Sequence, residues 1–215
     1  ILVFDPDKYA PATFDASGNV TNPEKAFYTG SQKVSNFNVV GKETGVSYGY
    51  TSDGGVKYAY IAGDYTDAYD STTVDLVERR MLTVYTDDKD FPLAFFAYDD
   101  ITSCDESFKK TFLLQISAME APTVSGNTVI TENEGGKLVL TSLMDSPVIT
   151  PLGGRAYREG GKYDPDNSTN YLINGVNCRT LGGVDDKHWG RVEISPAEPA
   201  KRDKLLHAIY VPARD

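Results

Sequence analysis

"SYGYTSDGGVKYAYIAG", residues 47–63, decides how this chain folds. Tyrosines alternate with small and β-branched residues on either side of Ser52-Asp53-Gly54-Gly55, and no apolar residue recurs at a helical interval. Aromatic and β-branched side chains fit a pleated surface, and glycine supplies the backbone freedom of a tight turn, so the stretch reads as a β-hairpin. Its second strand runs on into "YAYIAGDYTDAYD", 58–70, where Gly63 interrupts the alternation and Asp64, Asp67 and Asp70 follow among tyrosines.

The same signature repeats outward from there. "PTVSGNTVITE" turns at Ser125-Gly126-Asn127 and "TENEGGKLVLTSL" at Glu134-Gly135-Gly136. Longer strands are expected at 74–85, 93–101 and 110–118, and the chain closes on the buried-type strand "LLHAIYV". In "RVEISP" the alternation places Val192 and Ile194 inward and Arg191, Glu193 and Ser195 outward. No segment carries a sustained helical period with caps, which argues against alternating strands and helices around a parallel sheet. The expectation is all-β: one large antiparallel sandwich of the supersandwich type, with about a dozen strands, spanning 1–215 as a single domain.

Charge narrows the function. Thirty-one acidic residues face 21 basic ones, a net charge of −10, so nucleic acid and anionic membrane are poor partners. A polyanionic sugar would need a locally basic cleft. The candidates are Arg79, Arg80, Lys109 and Lys110; Arg155, Arg158 and Lys162; and Arg191, Lys201, Arg202 and Lys204, each of which also fits a solvated strand face or loop. No apolar run approaches a membrane span. The abrupt apolar opening "ILVFD" reads as a cut within a larger protein. Fourteen tyrosines, each with a flat apolar face and a polar tip, suit either sheet packing or a carbohydrate-contacting surface.

Cys104 and Cys178 leave two readings open. A disulfide between them would close a loop of about 75 residues; two free thiols fit the sequence equally well. Neither has a neighbouring histidine, which argues against a nucleophile. The polar, glycine-rich stretch 151–187 is the least regular part of the chain, and loops of that length are commonly functional or mobile. "DPDKYAPATFD" and "YDPDNSTNY" lack the glycine and closing glutamate of a calcium loop and read as Asp-Pro turns.

The order "ILVFDPDKY", "YIAGDYTDAY", "YDDITSCDESFKKTFLLQ", "GNTVITENEGGKLVLTSL" and "HWGRVEISPAEPAKRDKLLHAIYV" resembles the C-terminal β-sandwich half of heparinase II/III-like polysaccharide lyases over nearly the whole chain. The resemblance implies a parent enzyme with an N-terminal helical toroid, here missing, and a substrate cleft between the two halves. It implies β-elimination on acidic, uronic-acid-containing glycans by a periplasmic or secreted bacterial lyase. The acid–base groups come largely from the toroid in that family, so no catalytic residue is assigned here and the chain alone is expected to be inactive.

The resemblance also implies a metal role for Asp64, beside two histidines of the family. One would precede Ile1, and Gln115 occupies the position of the other. A neutral amide oxygen suits a hard cation but substitutes poorly for imidazole on zinc. The preferred reading of Asp64 is therefore a strand-end cap that hydrogen-bonds the turn backbone. Tyr65 and Tyr69, beside Asp64, are expected to line the substrate cleft. His188 and Trp189 form a pair that could stack on a sugar ring or anchor a strand. His207, flanked by apolar residues, reads as buried and structural. The rival reading of the whole chain is a noncatalytic carbohydrate-binding or structural β-sandwich module.

Overall fold

A computed structural model describes residues 1–8, 13, 15–16, 21–22, 41–116, 118, 120–153, 172–173, 176–177 and 189–212. The strands are β1 (Leu2–Phe4), β2 (Lys42–Tyr50), β3 (Val56–Asp64), β4 (Val74–Tyr85), β5 (Leu93–Ser103), β6 (Lys109–Ile116) and β7 (Thr123–Ser125). They continue as β8 (Thr128–Asn133), β9 (Gly136–Ser142), β10 (Val148–Gly153), β11 (Leu172–Ile173), β12 (Val176–Asn177), β13 (Gly190–Ser195) and β14 (Arg202–Tyr210). A 3₁₀ turn, Thr66–Ala68, is the one helical element among the described residues. His188, Cys178 and most of the 151–187 stretch lie outside the described residues.

The expected hairpins form where the turn residues place them. Between β2 and β3, Thr51 accepts from Gly54 N–H at 3.0 Å and donates to the Gly55 carbonyl at 2.8 Å, with Gly54 at φ 88°. Gly126 and Gly135 take the same positive-φ role in the next two hairpins, at φ 55° and 78°. All strand pairings are antiparallel, in an eight-stranded sheet ordered β2-β3-β4-β5-β14-β9-β8-β7, a four-stranded sheet ordered β1-β6-β13-β10, and the β11-β12 pair. Val3, Phe112, Val192 and Ile194 of the smaller sheet meet Val77, Ala97, Ile101, Leu140 and Leu205 of the larger in one hydrophobic core. The fold is an all-β antiparallel sandwich.

Two polar expectations are corrected. Arg191 and Ser195, read from the alternation as outward and solvated, are both buried. Their polar groups are satisfied in place: Arg191 donates to Glu193 through Nε at 3.0 Å and Nη2 at 2.8 Å, and Ser195 bonds Thr111 across the strands at 2.9 Å. Lys110, one of the candidate basic residues, is fully buried between the sheets. Its ammonium pairs with Asp203 at 3.0 Å and donates to the Ala200 carbonyl, so it is spent on holding β6 to β14. Burial lowers the Lys110 pKa and the Asp203 partner works against that shift.

Candidate functional site

The Gly-Asp stretch ends β3 in a tightly tied turn. Asp64 Oδ1 accepts from the Thr66 backbone N–H at 2.9 Å and from its hydroxyl at 2.6 Å, opening the 3₁₀ turn. The Thr66 hydroxyl oxygen accepts from Val77 N–H at 3.0 Å, and Tyr65 N–H donates to the Val77 carbonyl at 2.7 Å, so the turn is pinned onto β4. The Thr66 hydroxyl and amide, helped by the charge of Lys42, hold the Asp64 carboxyl below the usual range. Glycine is required next to it. A Cβ on Gly63 would lie 2.9 Å from the Tyr65 ring, and one on Gly41 would lie 2.8 Å from it, because that ring rests on both backbones.

That placement aims Tyr65 at a cavity of about 300 Å³ lined also by Tyr69, Arg79, Met81, Asp99 and Val77. Arg79 on β4 and Asp99 on β5 are register partners. Their contact is bidentate, Nε to Oδ1 at 2.6 Å and Nη2 to Oδ2 at 3.0 Å, and the guanidinium carbon stands 5.6 Å from the centre of the Phe112 ring. Asp99 is wholly buried while Arg79 is partly open. Burial opposes the Arg79 charge, but the hydrogen bonds and charge of Asp99, with smaller contributions from the Tyr69 and Tyr65 phenols, strengthen its hold on the proton. A guanidinium has five N–H donors, and Asp99 engages two of its nitrogens. The arrangement is a charge-paired guanidinium with N–H donors left over beside a half-open phenol, suited to hydrogen-bonding the oxygens of a sugar that lies against the ring.

The residues anticipated from sequence divide. Tyr65 and Tyr69 share the cavity, Tyr65 at 38% exposure and Tyr69 at 3%, its hydroxyl donating to the Ile1 carbonyl at 2.8 Å. Trp189 belongs to the hydrophobic core at the start of β13, and its backbone N–H bonds the Ala118 carbonyl at 2.8 Å. His188 lies outside the described residues. Asp64 ends a strand of the large sheet, whereas Gln115 is an exposed residue of the small one, opposite Arg191. Among the described residues no group of three or more His, Cys, Asp or Glu side chains is placed to hold a metal. Sequence reasoning missed Asp99. The signal was present in "FAYDDI", where two carboxylates interrupt an apolar strand one neighbour away from Arg79 and Arg80.

No protein-family model matches the chain, and no curated protein matches it. Among solved structures it is similar to a mutant of the heparan sulfate lyase HepC from Pedobacter heparinus, at 12% identity and a TM-score of 0.44, over 81% of this chain and 22% of that one. It is similar to heparinase III at 15% identity and a TM-score of 0.43, over 81% of this chain and 21% of the other. The likeness is one of fold alone. The chain spans about a fifth of the length of either structure.

Proposed function

We propose that this chain is the β-sandwich part of a polysaccharide lyase that cleaves uronic-acid-containing glycans by β-elimination, and that it supplies a wall of the glycan cleft. The observation that carries the reading is Arg79, locked against Asp99 and Phe112 with Tyr65 beside it in one cavity. β-Elimination removes a proton next to a sugar carboxylate, and that carbon becomes acidic only when the carboxylate charge is offset by a cation or strong donor. The order of motifs resembling heparinase II/III-type lyases supports the same assignment. The partner in this reading is a helical domain of the same protein, which provides the acid and base, and the setting is periplasmic or extracellular.

Two measurements test it. An acidic oligosaccharide titrated into the chain is expected to bind, and Tyr65→Ala is expected to weaken it by about tenfold through loss of one ring contact. The ultraviolet absorbance of unsaturated product, followed with the chain alone on several uronate polymers, is expected to stay flat. No binding by the unaltered chain sinks the cleft reading, and a robust rise in absorbance would place the acid and base in this half.

A further inference from the structure

We infer a second ligand site on the opposite face of the eight-stranded sheet, away from the Arg79 cavity. There Arg80, Arg202 and Lys204 form a cationic spot that holds the carboxylate or sulfate of an acidic oligosaccharide, whose rings lie along the apolar groove beside it. Successive strand residues point to opposite faces, so Arg79 looks into the sandwich and Arg80 out of it. The register of β4, β5 and β14 then gathers basic residues that are far apart in sequence. Arg80 lies opposite Tyr98, Lys204 opposite Asp100, and Arg202 opposite Thr102, in three adjoining rows.

The carboxylates of this face are already engaged. Both Asp100 oxygens accept from Arg202, at 2.8 and 2.7 Å, and both Glu78 oxygens accept from Arg80, at 3.0 and 3.1 Å. Tyr98 stands between the two pairs, its ring centre 5.4 Å from the Arg80 guanidinium carbon and its hydroxyl 3.5 Å from Asp100 Oδ2. The Asp100 and Glu78 side chains are only 5% and 22% exposed, whereas those of Arg80 and Arg202 are 44% and 56% exposed and Lys204 is exposed with them. A ligand arriving from solvent therefore meets the cations, with the carboxylates behind them. Lys204 also tips the sum. Across the three rows the cations are Lys42, Arg80, Arg202 and Lys204, and the carboxylates are Asp64, Glu78 and Asp100. Lys42 faces Asp64 on the far side of Glu78, so the excess positive charge gathers around Arg202 and Lys204, on a chain whose net charge is −10.

Charge and size together define the occupant. Guanidinium and ammonium groups with N–H donors to spare favour oxyanions. The next row of the sheet is apolar: Tyr60, Leu82 and Phe96 adjoin Arg80, Tyr98 and Leu206, and the six line a groove of about 370 Å³. A groove of that volume is in the range of a small-ligand site, whereas a standard protein interface spreads over ~800 Å² of each partner. The C–H face of a pyranose covers apolar side chains while its acidic substituent reaches the cations one row away. The choice of a glycan among oxyanions rests on the proposed function, since a chain that walls a glycan cleft works beside that polymer.

Site-resolved NMR separates this face from the cavity, because the Leu206 methyls and the Tyr98 ring belong to the outer groove and the Met81 methyl to the cavity. A uronate hexasaccharide, a sulfated one, a neutral glucose hexamer, hexaglutamate and free sulfate are each titrated into the unaltered chain and into Lys204→Gln. At least one acidic hexasaccharide is expected to shift the Leu206 and Tyr98 signals with a Kd of ~1 mM at low salt. Lys204→Gln is expected to weaken that binding about threefold and added salt to weaken it further, while the neutral hexamer leaves the signals unmoved. The substitution is at an exposed position, and an unchanged melting temperature checks that the fold is kept. No shift at Leu206 and Tyr98 overturns the inference, as does an equal shift by the neutral hexamer or one indifferent to Lys204→Gln. Binding of hexaglutamate without the hexasaccharides would give the face to an acidic protein partner, and free sulfate binding as tightly as they do would leave it to a free anion; either result overturns the glycan assignment. Shifts at Leu206 with none at Met81 would sink the cleft reading and leave this one standing, and the reverse pattern would do the opposite.

Discussion

His207 is the residue whose environment is most at odds with its chemistry. It is wholly buried on β14, its ring centre 4.2 Å from that of Phe112, and neither ring nitrogen has a hydrogen-bond partner among the described residues. Burial first, and then the nearby charge of Arg79, lower its pKa from 6.5 to about 4. Between those values the unfolded chain binds a proton that the folded chain refuses. The stabilisation is therefore complete above pH 6.5 and is lost as pH falls through about 4, amounting to roughly 3 kcal/mol. Denaturant unfolding at pH 7 and pH 4 should show the unaltered chain losing that much more than His207→Leu; equal losses would mean the ring is not held neutral. At Asp64 the carboxylate is committed to Thr66. Asp64→Ala is expected to destabilise by about 1 kcal/mol, with zinc and chelator both leaving the melting temperature unchanged. A zinc-dependent rise that Asp64→Ala removes would restore the metal reading.

At the scale of elements, the two sheets are joined by apolar packing and by the Lys110–Asp203 pair between β6 and β14. Removing one member leaves the other charged and buried. Lys110→Met is expected to cost about 3–5 kcal/mol, and Lys110→Met combined with Asp203→Leu to recover most of it. A double variant no more stable than the single would show that the ammonium and the Ala200 carbonyl, rather than the ion pair, carry the contact. Such pairs mark where the sequence stops being readable. The hairpins were legible because turn residues act locally: Gly54, Gly126 and Gly135 each adopt a positive φ that few other residues tolerate. The Asp64 turn was legible for the same reason. Alternation, by contrast, says only which side of a strand a residue occupies. It gave Arg191 to solvent because nothing local revealed that its face would be covered, and it could not join Arg79 to Asp99 before the β4–β5 register was known.

For the whole molecule, the eight-stranded sheet outreaches its four-stranded partner. Toward the β2 edge the sandwich-side residues Val46, Tyr48 and Ile61 remain 54%, 60% and 43% exposed, and Tyr50 beyond them 59%. An apolar patch of that kind promotes association when nothing lies over it. Sedimentation of the isolated chain is expected to show concentration-dependent self-association, reduced by Tyr48→Ser with Ile61→Lys while the melting temperature holds; unchanged association would place the sticky surface elsewhere. The order of strands carries a consequence of another sort. β14 follows every other strand in sequence, yet it stands in the middle of the large sheet between β5 and β9. Until residues 202–210 leave the ribosome, the nascent chain holds two separate open ribbons, β2–β5 and β7–β9, whose bare inner edges have no rightful partner. Assembly must wait for that one strand to slot between them. A long, non-local closing step of this type is slow, and the interval beforehand is when the polypeptide most needs shielding from its neighbours.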